Sequence, residues 1–220
     1  MTTLTENVRL STYLKGIIQG FLGVSENEDQ FPSAPPALYF ALMTAEGVET
    51  TAYTGYARQV INKTYYGPAS DYHCKIELEG PGTPFAPFTA EKTLHSIGVY
   101  DASTGGNLLI WFPYSFTRQV GDELTLDTMT VYFNDDTGGP YLRANSCAFM
   151  SEMIAKWLVD EFGDTDYVQG KRFSEVNVLT KDRRCMIVES TSSTTGVVWG
   201  YPTGGPPLIG STGAAIVKHA

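Results

Sequence analysis

The chain has 220 residues, 42% hydrophobic and 18% charged, which suits one large globular domain or two small ones and excludes a disordered chain. A formal net charge of −9 argues against a protein that wraps nucleic acid, which needs a basic face. No run approaches the apolar length that spans a bilayer, and Met1–Glu6 lacks the basic and apolar regions of a secretory signal.

The first predicted element is a helix over 8–22. Leu10, Leu14, Ile17, Ile18, Phe21 and Leu22 share one stripe, with Thr5 or Ser11 as the cap and Gly23 as the stop. The stripe is buried either in its own domain or against an adjacent subunit, which makes Phe21 a structural or interface candidate. The proline-rich connection Pro32-Ser-Ala-Pro-Pro36 follows.

Strands are predicted at about 37–44, 56–63, 72–79, 95–101, 107–114, 122–127 and 129–134, with Gly and Pro between them. Gly 22, Pro 12, Tyr 13 and Phe 11 favour the same turn-rich, pleated architecture. Gly80–Pro87 carries three prolines, which lack ladder donors, so it reads as a surface loop. The segment Ile97 to Trp111 reads as strand, tight turn, strand. Asp101 can bond its own backbone, and Gly105 and Gly106 tolerate positive φ. The expected fold is mainly β: an antiparallel, jelly-roll-like β-sandwich with an N-terminal helix.

Residues 134–140 mark a boundary, dividing a module at 1–135 from one at 140–220. The second module opens with a helix on which Cys147, Met150, Met153, Ile154, Trp157, Leu158 and Phe162 recur at three and four residues, with Gly163 as the stop. Strands near 173–180, 184–190 and 196–202 complete a small antiparallel sheet, packed on the first module or reaching to a neighbour.

The residue types carry little chemistry. His73, His95 and His219 have no zinc-ligand spacing, and Asn134-Asp135-Asp136 lacks a closing glutamate, so an Asx turn is preferred to a calcium loop. Ser96 follows His95, but strand neighbours point to opposite faces and no nucleophile elbow is present. Glu77, Glu79 and Asp127 read as solvated charges before they read as a glycosidase pair. Cys74, Cys147 and Cys185 read as reduced and buried. No enzyme activity, cofactor or metal is expected. Arg58 and Asp101 are the best candidates for a specific polar pair, a guanidinium–carboxylate staple between strands. Trp199, in a glycine-flanked aromatic strand, reads first as packed under its own loop; otherwise it and Tyr201 are candidates for an interface anchor or a sugar-stacking platform, and Trp111 reads as core or, in the sugar-stacking role, as a further platform.

Several features, in order, resemble a family of tailed-bacteriophage virion proteins, the minor tail, tail-fibre and head-decoration proteins. They are the helix with Tyr13-Leu14 and Phe21-Leu22, the proline-rich connection, Ala37–Leu42, Gly55-Tyr56-Ala57-Arg58, the Asp101 to Trp111 hairpin, Val120–Leu124 and Met129–Phe133. The resemblance spans roughly 8–135. It implies a virion structural protein, made in the host bacterial cytoplasm, that assembles by contacts with capsid, collar or tail proteins and with copies of itself. The alternative is an adhesin that binds a host-surface glycan.

Overall fold

The computed structural model describes residues 8–21, 29–50, 53–67, 74–134, 141–145, 148–160, 170, 185–189 and 197–201. Among these, two helices and 11 strands alternate in the order β1 (Arg9–Leu10), α1 (Thr12–Phe21), β2 (Leu38–Ala45), β3 (Val48–Glu49), β4 (Gln59–Tyr66), β5 (Cys74–Glu79), β6 (Lys92–Tyr100), β7 (Leu108–Arg118), β8 (Thr128–Asn134), β9 (Tyr141–Asn145), α2 (Ala148–Val159), β10 (Cys185–Glu189) and β11 (Val197–Tyr201).

The protein is mainly β, as expected, but the strands do not form two stacked sheets. They follow one path, β1-β7-β6-β2-β4-β5-β8-β9-β10-β11, with β3 added on β2, curled into a half-barrel. Strand β4 makes the bend. Its first residues, Gln59–Ile61, pair with Phe40–Leu38, and Asn62–Tyr66 then pair with Glu79–Lys75. One strand shared in this way keeps the ladder continuous where a sandwich would break it. Every pair is antiparallel except β8–β9. Strand β9 has no counterpart among the predicted elements, and through it β10 and β11 join the main sheet.

Ser11 decides where α1 starts. Its Oγ accepts from the Leu14 amide at 3.0 Å and its carbonyl from the Lys15 amide at 3.0 Å, so the residues before it are extended and Arg9–Leu10 pair with Trp111–Ile110. Thr5, Leu22 and Gly23 lie outside the described residues. Leu14, Ile18 and Phe21 are fully buried, each contributing about 1.5–3 kcal/mol of apolar transfer. Phe21 meets Phe31 edge-on at 5.0 Å, so it is a core residue of its own chain.

The second helix ends at Asp160, whose φ of 59° turns the chain out of the helix. It buries Met153, Ile154, Trp157 and Leu158 in the cluster that also holds Phe31, Ile76 and Leu78. The Trp157 indole donates to the Pro32 carbonyl at 3.1 Å. Strands β2, β5, β8, β10 and β11 match their predicted places closely. The predicted strand at 173–180 and the residues Cys147, Phe162 and Gly163 lie outside the described residues.

Residues 122–127 are extended but are not a strand. They run beside the proline-bearing loop, where Phe85 donates to the Leu124 carbonyl at 2.8 Å and Phe88 to the Asp122 carbonyl at 3.0 Å. Pro84 and Pro87 interrupt the donors, so no ladder forms, yet Leu124 and Leu126 are buried.

Candidate functional site

The most elaborate polar arrangement lies under the β6–β7 hairpin. Strand β2 carries two successive partners, β4 at Leu38–Phe40 and β3 at Met43–Ala45. Leu42 stands in the interval between them. Its carbonyl accepts from Thr50 at 2.8 Å, and its amide donates to the Tyr56 hydroxyl at 3.0 Å. Tyr56 thus completes the ladder with a side chain, and its own proton goes to Glu49 Oε1 at 2.6 Å. Burial, then the bond to the Glu49 carboxylate, pushes the Tyr56 pKa far above its ordinary value.

In an extended segment residues two apart share a side, so Arg58 follows Tyr56 to the same carboxylate. Arg58 Nη2 meets Glu49 Oε2 at 2.7 Å and Nε lies 3.0 Å from Oε1, the two-point geometry suited to this pair. Both side chains are largely buried, 5% and 17% exposed. Arg58 Nη1 donates to the carbonyls of Ala102 at 2.6 Å and Gly105 at 2.7 Å. Its guanidinium carbon lies 3.7 Å from the centroid of the Tyr100 ring. Burial raises the Tyr100 pKa, and Arg58 opposes that rise.

The expected Arg58–Asp101 staple is therefore corrected. The two residues hold the same hairpin from different sides, but the acid on Arg58 is Glu49. Asp101 holds the turn itself: Oδ1 accepts from the Asn107 amide at 2.6 Å and Oδ2 from the Asn107 side chain at 2.9 Å. Gly105 and Gly106 have φ of 61° and 66°, and a Cβ on Gly106 would collide with the Asp101 carboxylate. Only the tip, Ser103–Gly106, is exposed. An arginine on two loop carbonyls, an aspartate across the turn and two left-handed glycines make a rigid, polar, outward-facing loop.

The remaining candidates fall elsewhere. Trp111 is half-buried, packed on the small cluster of Ala41, Met43, Tyr100 and Leu108, with its ring 5.6 Å from His95. Trp199 and Tyr201 sit on β11 opposite Ile187 and Cys185, and their side chains lie outside the described residues. The same holds for His73, His219, Asp135 and Asp136. Cys74 is fully buried in β5. His95 Nδ1 does reach Ser96 Oγ, at 3.1 Å, contrary to strict strand alternation. The register slips between Leu94 and Ser96, which turns the two side chains together. Ser96 is fully buried. The Glu77 oxygens are occupied by Lys75 at 2.7 Å and Tyr66 at 2.8 Å, and the Lys75 bond is the main cause of its lowered pKa. Among the described residues no group of three His, Cys, Asp or Glu is placed to hold a metal.

Glu49 and Tyr56 were absent from the sequence-based site. The Tyr-x-Arg spacing was the available signal, since both side chains had to fall on one side of an extended segment.

Residues 24–134, just over half of the chain, match the family described as podophage GP4 fiber I protein gp80. The chain belongs to this family. The matched stretch holds β2 to β8, so the Glu49–Tyr56–Arg58 knot and the hairpin are inside the gp80 unit, while α1 and α2 flank it. None of the curated proteins compared with the chain matches it. Membership makes the protein a structural component of the tailed-phage virion, of fibre type. No helix among the described residues is long and apolar enough to cross a membrane.

Proposed function

We propose that this chain works in particle assembly, fixing a fibre to the tail through protein–protein contacts, and carries out no chemistry. The observation behind this reading is the clamped hairpin. The fold places an arginine, a glutamate, an aspartate and two tyrosines beneath four exposed small residues. Such a loop loses little entropy when a neighbour closes on it, which favours tight docking. A stable joint needs on the order of 1,000 Å² of buried surface, so the tip is one part of a larger contact. Partners are other tail proteins and further copies of this chain arranged by the particle's symmetry. The acidic balance of the chain fits a basic partner.

The test uses the full chain and purified tails that lack the fibre. Ser103→Arg and Thr104→Arg place a large charge on the exposed tip without touching the knot. Both are expected to keep the wild-type melting temperature and to lose co-sedimentation with tails. Co-sedimentation at the wild-type level by both variants would overturn the reading.

A further inference from the structure

Strand β7 keeps an open edge. On one side β6 pairs with it from Leu108 to Arg118. On the other, β1 covers only Ile110 and Trp111, and the Ser11 amide adds a bond to the Leu109 carbonyl at 2.9 Å. From Phe112 to Arg118 no described residue pairs with that side. Such an edge is a template for a further strand. We propose that it receives an extended segment of a partner protein in which small aliphatic residues alternate with polar ones and an aspartate or glutamate ends the row.

The side chains beside the edge select that pattern. Tyr114 and Phe116 pack on the core with their rings 4.6 Å apart. The guanidinium carbon of Arg118 follows, 5.2 Å from the Phe116 ring centroid. A strand added to β7 sets its own alternate residues beside this row. With Ile97, Leu124, Leu126 and Met129, Tyr114 also borders a cavity of about 20 Å³, room for little more than a methyl group or a water. A small aliphatic side chain suits that position better than a ring.

Charge selects the acid. Lys92 and Arg118 are direct cross-strand partners, where like charges repel. Neither forms an ion pair among the described residues, in a chain of net charge −9. Arg118 Nε is buried and has no acceptor. A cation that only guards an edge against pairing stands in water. This one has lost water at a donor with no bond in return. A carboxylate laid beside the two cations removes the repulsion and gives the guanidinium its acceptor. A second copy of β7 fits less well, because antiparallel self-pairing puts Pro113, which has no N–H, into both strands and brings a further arginine instead of an acid.

The isotope-labelled full-length chain is titrated by NMR with a blocked synthetic peptide of alternating valine and threonine that ends in glutamate. The outward amides of Tyr114–Arg118 are expected to exchange freely in the protein alone, and to shift and become protected with peptide. Glutamine in place of the glutamate should weaken binding about tenfold. N-methylation along one edge of the peptide should abolish binding, and along the other edge should spare it. Arg118→Glu should reject the glutamate peptide and accept its lysine counterpart, an exchange of preference that an unfolded variant cannot show. Edge amides already protected in the free protein, no binding, or equal binding of both peptides by the wild type would overturn the proposal. So would shifts reproduced by acetate alone, which mean an ion contact only, or a dimer in sedimentation that the peptide does not dissociate. Ser103→Arg should bind the peptide as the wild type does, so this edge and the hairpin tip can fail separately.

Discussion

The guanidinium carbon of Arg58 sits over the Tyr100 ring, 3.7 Å from its centroid, while its nitrogens hold Glu49 and two carbonyls of the hairpin. Stacking and in-plane hydrogen bonding use different faces of a guanidinium, so one side chain serves both. A lysine, a point charge with no planar edge, could not replace it.

The first prediction concerns which acid matters to Arg58. Truncating one member of a largely buried pair costs about 3–5 kcal/mol, because the other charge is left without compensation. Arg58→Ala should therefore lower the melting temperature by roughly ten degrees for a chain of this size. A double-mutant cycle should give a larger coupling for Arg58 with Glu49 than for Arg58 with Asp101. The reverse order would show that the turn, and not the carboxylate beneath it, is what Arg58 stabilises.

Gly106→Ala tests the turn. A residue with a Cβ pays about 1–2 kcal/mol for the left-handed conformation, before the collision with Asp101 is added. Denaturant unfolding should show a loss of at least that size, whereas Thr104→Ala at the exposed tip should be neutral. An equally neutral Gly106→Ala would mean that the loop rearranges freely and is not clamped.

Alkaline stability should follow the buried tyrosines. Burial raises Tyr53 from 10.0 to about 12, and Tyr56 moves in the same direction. A raised folded-state value means that the native state holds its proton longer than the unfolded chain. The stabilisation is fully present below pH 10, and it is lost as pH rises through the folded-state value. Stability should thus fall steeply above pH 10, and Tyr53→Phe should flatten that slope. Tyrosinate absorbance followed alongside unfolding checks it: ionisation of these two rings should coincide with unfolding and not precede it.

Trp157 links the second helix to the region before residue 135. It meets Phe31 edge-on at 5.8 Å and donates to Pro32. Trp157→Ala should cost about 3–5 kcal/mol and reduce amide protection in β4 and β5, against which the helix packs. Protection unchanged in those strands would show that α2 contributes nothing to their stability.

Much of the fold was readable because its signals are local. The stripe Leu14, Ile18 and Phe21 predicted a buried helix face, and the Asp101–Gly106 turn was recognisable from residues that bond their own backbone or accept positive φ. Prolines at 81, 84 and 87 marked a loop. What failed depended on pairing between distant segments. Residues 122–127 look like a strand, but lie beside a chain that cannot form a ladder. His95 and Ser96 meet only because the β6–β7 register slips.

The amino-acid sequence by itself therefore determined a mainly β protein, a tight hairpin at 101–107 and an amphipathic first helix, since periodicity and turn chemistry act within a few residues. Tertiary structure alone decided that the sheet is one curled path, that Arg58 binds Glu49 and not Asp101, and that β1 pairs with only Ile110 and Trp111 of β7. Those outcomes depend on which strand edges and side chains meet across the chain, and the competing pairings look alike until the backbone has closed.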